Sequence, residues 1–346
     1  MQSLRLLQVD GTLSGARPFI LLTGKIPSSV LARLESIGDV DQYREEGVDV
    51  MPHDELVARV AGKQALVSMI TDAVDKAVIH AGTELKIIAN AAVGYNNIDA
   101  AAARDRGVIV TNTPGVLTDA TADLTWALIL GITRRIGEGE RLIRRGGWKG
   151  WTFDFMLGSE LRGKQLGIVG YGGIGRAVAQ RGRAFGMRIA YTSRTPKNDS
   201  DAEAMPLDRL LSTSDVVSLH CPLTQETTHL IDQPALARMK RSAYLINTSR
   251  GPVIDEKALA WALRMRLIAG AGLDVFEQEP TPADNPILKL DNAIVTPHAL
   301  CWTDELFGNI ARTAIGAIVA VHAGRRPEFV VNAAALAHPR AKAWLK

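Results

Sequence analysis

The chain has 346 residues, enough for about two domains, and its 40 Lys and Arg stand against 37 Asp and Glu for a formal net charge of +3. With 47% hydrophobic and 22% charged residues it has the profile of a folded globular protein and not of a disordered chain. Aromatics are few, no Lys/Arg block runs along it, and no apolar run reaches the roughly 18 residues of a membrane span, so neither nucleic acid nor membrane is an expected partner.

Cys221 and Cys301 stand far apart and fit no metal or redox spacing; no metal is expected, and the thiols suit a reducing compartment. Leu4 to Val9 is a short apolar run broken by Arg5 and Gln8, without the length or cleavage pattern of a signal peptide. Residues 1–17 read as an extension, and the chain is read as cytoplasmic.

From Pro18 on, apolar runs alternate with helical patterns. Phe19 to Thr23 reads as a strand, and Ser28 to Ile37 as a helix opened by a serine cap. Ala65 to Ile70, Lys86 to Ala91 and Val108 to Thr111 are further strands. Continuous apolar strands imply burial on both faces, hence a parallel sheet covered by helices. This region ends near Asn112 to Gly115. A long helix follows, with Thr118 and Asp119 able to cap it and Leu124, Leu128 and Ile132 on one face beside Ala127 and Gly131. The Gly146 to Trp151 stretch interrupts it. A second series has strands at Leu166 to Val169, Met187 to Tyr191, Asp215 to Leu219, Ala243 to Asn247, Ala269 to Leu273 and Ala293 to Thr296. A last helix, about Asp304 to His322, comes too late to extend that sheet and is expected to return to the first domain.

Gly170-Tyr171-Gly172-Gly173-Ile174-Gly175 directly follows one of these strands and opens a helix, the context in which G-x-G-x-x-G binds a dinucleotide. Gly170 permits the tight turn, Gly172 lets backbone approach a pyrophosphate, and Gly175 lets helix and strand pack closely. An NAD site wants an acid about 20 residues on, to accept from the ribose hydroxyls. Here Ser193 and Arg194 occupy that strand end, with Lys197 close behind. A hydroxyl and a guanidinium suit a 2′-phosphate, so the position favours NADP over NAD.

Three more strand ends carry polar residues: Asn247 to Gly251, Leu273 to Pro280, and Thr296-Pro297-His298. Open α/β sheets place ligands there. One Arg, one carboxylate and one His suit reduction of a 2-oxo acid: Arg anchors the substrate carboxylate, His gives a proton to the ketone oxygen, and the carboxylate holds the ring protonated.

With these motifs, Val93-Gly94-Tyr95-Asn96-Asn97-Ile98-Asp99, His220-Cys221-Pro222-Leu223-Thr224 and Asn247 to Glu256, the chain resembles the D-isomer-specific 2-hydroxyacid dehydrogenase family from Pro18 to about residue 333. The resemblance implies an α/β fold of two Rossmann-like doubly wound parallel-sheet domains with an inter-domain active-site cleft. A substrate domain of residues 18–116 and 303–333 would be interrupted by a dinucleotide-binding domain of residues 117–302. The family's triad falls on Arg250, Glu279 and His298; the step of 279 − 250 = 29 residues selects Glu279 over Glu277. Val93 and Gly94 fall at substrate-binding positions with Arg250 and His298. Cofactor positions fall on the glycine motif, Ser193, Arg194, Cys221, Pro222, Thr227, Thr248, Ser249, Arg250, Asp274, His298 and Leu300.

Val116 to Trp126 and Gly147 to Trp151 resemble the glyoxylate/hydroxypyruvate reductase branch, and Tyr191 to Arg194 is similar to its NADP-using members. His298-Ala299-Leu300-Cys301-Trp302-Thr303 departs from the small residues usual after the catalytic His. The implied activity is reduction of a glyoxylate- or hydroxypyruvate-type acid to the D-2-hydroxy acid, by a homodimer paired through the helix near Thr118. Rivals are D-3-phosphoglycerate dehydrogenase, many members of which carry a C-terminal regulatory domain where this chain ends, and a dinucleotide-sensing corepressor-like protein. His53, His80, His322 and His338 are expected at the surface or at helix ends, and His229 and Glu277 in structural roles.

Overall fold

The computed structural model describes residues 17–44, 50–195, 197, 199–300 and 302–345. The readings of residues 1–16 and of Cys301 lie outside these.

The described residues up to Leu117, with those from Thr303 on, form one compact unit. Its five parallel strands are β1 (Phe19–Leu22), β2 (Asp39–Gln42), β3 (Ala65–Ser68), β4 (Ile87–Asn90) and β5 (Ile109–Thr111), in the order β2-β1-β3-β4-β5. Side chains alternate across a strand, so each apolar run feeds two cores. Leu21, Leu66, Ile88 and Val110 meet Leu56, Val78, Ile79 and Ala103 from the helices His53–Arg59, Lys76–Ala81 and Ala100–Asp105. Ile20, Leu22, Val67, Ile87 and Ile109 meet Leu34 of helix Ser28–Ile37 and Ala314, Ile315 and Ile318 of helix Asp304–His322. Ser28 is the first residue of its helix rather than its cap; the cap position is Pro27, with no side-chain bond.

Residues Thr118–Trp302 form the second unit. Seven parallel strands, β6 (Gln165–Val169), β7 (Arg188–Thr192), β8 (Glu203–Ala204), β9 (Val216–Leu219), β10 (Tyr244–Asn247), β11 (Gly270–Leu273) and β12 (Ala293–Val295), lie in the order β12-β11-β10-β9-β6-β7-β8. The chain runs outward from β6 in one direction, then crosses back to β9 and runs the other way. That reversal between β6 and β9 is the switch point where open parallel sheets bind ligands.

Helix Thr118–Thr133 buries more than the expected face. Thr121, Ala122, Thr125, Trp126, Leu128, Ile129 and Ile132 are buried, Leu124 is half-buried and Ala127 is exposed. The helix packs both on helix Gly173–Ala184 and on β10 and β11, so two faces need apolar residues. Trp126 stacks on Phe185 at 4.5 Å and its indole N–H donates to the Val178 carbonyl at 3.0 Å. The interruption also comes earlier than expected: Arg135 takes a left-handed φ of 54°, a second helix spans Ile136–Arg144, and the Gly146 to Trp151 stretch lies beyond it. Among the described residues no helix is long and apolar enough to cross a membrane.

Candidate active site

The glycine motif forms the turn from β6 into helix Gly173–Ala184. Gly170 has φ +95°, and a Cβ there would come within 2.6 Å of Cys221 N and His220 C. A Cβ at Gly175 would stand 2.3 Å from the Gly170 carbonyl oxygen. Those two glycines are required by packing. Gly172 is different: nothing lies within 4 Å of the Cβ position, and no side chain caps the helix after it. Open space before uncapped amides at a helix N-terminus fits a pyrophosphate. Gly173 and Ile174 begin that helix, whereas the Tyr171 side chain turns inward and is buried.

At the end of β7, Ser193 Oγ donates to the Thr195 carbonyl at 2.6 Å, while Arg194 and Lys197 are exposed. The sequence offers no acid at the expected spacing, but Asp199 lies in the same loop and is held by Tyr171 and Arg183. Across the switch point, burial pushes the His220 imidazole down to about 3, so it is neutral, with Nε2 2.8 Å from Ser218 Oγ. Burial pushes the Cys221 thiol up to about 11, which makes it inert. Thr227 Oγ1 donates to the Pro222 carbonyl at 2.7 Å and shapes the adjoining turn.

Arg250, Glu279 and His298 follow β10, β11 and β12 respectively. Asn247 builds the first turn: its Oδ1 accepts from the Ser249 amide at 3.0 Å, and its Nδ2 donates to the Arg250 carbonyl at 2.9 Å. Thr248 Oγ1 lies 2.9 Å from Thr125 Oγ1, tying this turn to helix Thr118–Thr133. Arg250 Nη1 donates to the Ser249 carbonyl at 2.6 Å. Gly251 lets the loop pass the next one, since a Cβ would fall 1.8 Å from the Phe276 carbonyl.

Glu279 Oε1 accepts from the Phe276 amide at 2.9 Å, and Oε2 accepts from His298 Nδ1 at 2.7 Å. Burial works to raise the Glu279 carboxyl, but the bond and charge of His298, the Phe276 amide and the Arg250 charge outweigh it and hold it below the usual range. His298 itself takes φ 53° and donates its amide to the Asp274 carbonyl at 2.8 Å. Asp274 is fully buried. Its Oδ1 accepts from Thr296 Oγ1 at 2.5 Å and the Ala299 amide at 2.7 Å, and its Oδ2 accepts from the Leu300 amide at 3.0 Å. Burial raises the Asp274 carboxyl above its ordinary range despite these bonds. The residue therefore shapes the 296–300 turn that presents the imidazole, a role legible only once the loops are folded.

A second pair stands nearby. His229 Nε2 lies 2.9 Å from Glu277 Oε1, and Glu277 and Glu256 exchange amide-to-carboxylate bonds of 3.0 and 3.1 Å. The Glu256 bonds join the segment after β10 to the loop after β11, and the His229 bond joins the segment after β9 to that same loop.

In the first unit, Asn112 Nδ2 and Asn90 Nδ2 donate to the Val93 and Gly94 carbonyls, each at 2.7 Å. Among the described residues neither the Val93 nor the Gly94 amide donates to the chain. Successive amides of this kind suit an anionic group. His53, His80, His322 and His338 all sit at helix ends.

The family model for the D-isomer specific 2-hydroxyacid dehydrogenase NAD binding domain matches residues 126–299. A glyoxylate reductase of Korarchaeum cryptofilum (strain OPF8) is 45% identical over 321 residues, covering 91% of this chain and 96% of that protein. The crystal structure of the TT0316 protein from Thermus thermophilus superposes with a TM-score of 0.86 at 43% identity, covering 90% of this chain and 99% of that one. An NADPH-dependent glyoxylate/hydroxypyruvate reductase of Sinorhizobium meliloti, solved with NADP and malonate, gives 0.83 at 31% identity, covering 91% and 97%.

Proposed function

The chain belongs to the D-isomer specific 2-hydroxyacid dehydrogenase family, and from that premise we propose that it reduces glyoxylate or hydroxypyruvate to the D-2-hydroxy acid with NADPH in preference to NADH. The coarser reaction, reduction of a 2-oxo acid with a nicotinamide cofactor, is that of its glyoxylate reductase relatives. The observation that carries the assignment is the 2.7 Å His298–Glu279 pair on strand ends of the unit that also holds the open glycine cradle.

When bound, the reduced nicotinamide supplies a hydride for the carbonyl carbon. The cradle of Gly170 to Gly175 would hold the pyrophosphate, and Arg194 and Lys197, beside Ser193, would supply donors for a 2′-phosphate. Glu279 accepts a hydrogen bond from the Nδ1–H of His298, so in the doubly protonated ring Nε2–H is the group that gives its proton to the ketone oxygen, and the ring is left neutral with its Nδ1–H still donating to Glu279. Arg250 presents the cation that pairs with the substrate carboxylate and fixes its orientation.

The test is steady-state oxidation of NADPH and NADH with glyoxylate, hydroxypyruvate, 3-phosphohydroxypyruvate and larger 2-oxo acids. Turnover of the small acids with NADPH supports the assignment. Preference for the phosphorylated acid would favour D-3-phosphoglycerate dehydrogenase, and absence of turnover would favour a dinucleotide-sensing binding protein. Arg194→Ala is expected to raise KM for NADPH about ten- to a hundredfold, the worth of a hydrogen bond to a charged group, and to leave KM for NADH little changed. Equal effects on both cofactors would remove Arg194 as the phosphate reader.

A homodimer and a cytoplasmic location complete the proposal. Helix Thr118–Thr133 spends its apolar breadth inside its own unit, so the pairing surface is assigned to residues 136–157, directly after it. Ile136, Ile143, Trp148, Trp151, Phe153 and Leu157 are all exposed, Phe153 by 87%. An apolar surface of this kind is covered in a stable assembly. Sedimentation at micromolar concentration is expected to give a dimer; a monomer would refute the pairing.

A further inference from the structure

The loop that leaves β7 is tied down at its far end by groups outside the glycine cradle's own backbone. Tyr171, between Gly170 and Gly172, stacks its ring on Tyr191 of β7, with centroids 4.1 Å apart and planes 17° off parallel. The Tyr191 hydroxyl brackets Lys197, accepting from its amide and donating to its carbonyl, both at 3.0 Å. The Tyr171 hydroxyl donates to Asp199 Oδ2 at 2.6 Å, and Arg183 Nη2 donates to both Asp199 oxygens at 2.9 Å. At the near end, the Gly170 amide donates to the Thr192 carbonyl at 2.9 Å. Ser193 and Arg194 therefore stand on a loop whose two ends are both fixed to the phosphate-binding turn and its helix.

We infer that Asp199, clamped by Tyr171 and Arg183, is a positioning residue for cofactor choice: it fixes the far end of the segment that leaves β7, so that the segment presents Arg194 to a 2′-phosphate. This deepens the NADPH assignment above and rests on it. The physical reason is preorganisation. Ordering a side chain as long as Arg at the moment of binding costs affinity, and a loop pinned beforehand avoids part of that cost. NADH has no 2′-phosphate, so its binding does not draw on the arrangement. The carboxylate is also spent: with a guanidinium and a phenol on it, Asp199 is not left to take the ribose hydroxyls as the acid of an NAD site would.

Asp199→Ala removes the bonds from Tyr171 and Arg183 and leaves those between Tyr191 and Lys197, whereas Asp199→Asn keeps an oxygen for the phenol or the guanidinium. In both variants, Kd for NADPH and NADH is measured by cofactor fluorescence on the folded protein, and KM and kcat are measured with glyoxylate. Asp199→Ala is expected to raise Kd and KM for NADPH about tenfold, the scale of one or two immobilised side chains, with NADH values and kcat within about twofold. Asp199→Asn is expected to recover most of the loss. Circular dichroism of each variant separates this from general unfolding, which would weaken both cofactors alike. An equal effect on NADPH and NADH overturns the inference. So does tighter NADPH binding by Asp199→Ala, which would show the carboxylate acting by repulsion. If the unaltered protein shows no preference for NADPH, the cofactor assignment has failed and the inference falls with it. If NADPH is preferred and Asp199→Ala changes nothing, the inference alone has failed.

Discussion

Glu279→Gln tests the proton-donating pair most directly. The carboxylate uses both oxygens as acceptors, one for the Phe276 amide at 2.9 Å and one for His298 Nδ1 at 2.7 Å. A glutamine amide has one oxygen and one NH2 group, so it must set a donor against one of those two donors. If its NH2 faces the ring, Nδ1 must carry a lone pair and the imidazole is held in its neutral form. The side chains are only 19% and 29% exposed, so solvent screens the pair weakly. A hydrogen bond to a charged group is worth about 1.5–3 kcal/mol, so kcat at pH 7 is expected to fall about ten- to a hundredfold. NADPH binding should change far less. Stability follows the same carboxyl. Its folded value lies below the ordinary 4.5, so the charged form stabilises the fold above that value, and this contribution disappears as pH falls through the folded value. Thermal midpoints of the two proteins should differ most near neutrality and converge in acid. A variant with kcat within about twofold of the parent, or with a midpoint gap unchanged by acid, would refute the pairing as the source of the proton's placement.

The strands are legible because parallel strands buried on both faces read as unbroken apolar runs; β3, β4 and β9 are buried at every position. The polar β2 and the two-residue β8 carry no such run and leave no signal in the sequence. Helix Thr118–Thr133 misleads for a related reason. Reading one apolar face assumes one neighbour, and this helix has a helix on one side and a sheet on another. The chemistry divides in the same way. Arg250, Glu279 and His298 stand at strand ends with motif spacing, so sequence alone can nominate them. It cannot nominate the Asp199 clamp. Tyr171, Arg183 and Asp199 belong to a turn, the last turn of a helix and a loop, and only the fold of β6 beside β7 brings them together. The family resemblance implies that Asp274 contacts the cofactor, and its carboxylate bonds show that it builds the turn carrying His298.

Further substitutions separate the roles. His298→Asn should lower kcat at least about a hundredfold through loss of the proton donor, with the NADPH dissociation constant, read by fluorescence, nearly unchanged. Near-parental turnover would remove His298 from the reaction. Arg250→Lys keeps the charge but loses the planar fork, so KM for the 2-oxo acid should rise and kcat fall together; a change in KM for NADPH alone would contradict that role. Gly251→Ala is the severest probe of how the loops are held. Its Cβ would fall 1.8 Å from the Phe276 carbonyl, which is backbone and cannot rotate away as a side chain could. One of the loops carrying Arg250 and Glu279 must then move, and a misplacement of about 1 Å can cost on the order of a hundredfold in rate. The variant should therefore lose kcat/KM by that order even when circular dichroism shows it folded. If the folded variant keeps kcat/KM within about fivefold, the close passage of these two loops does not set the position of the anchoring guanidinium.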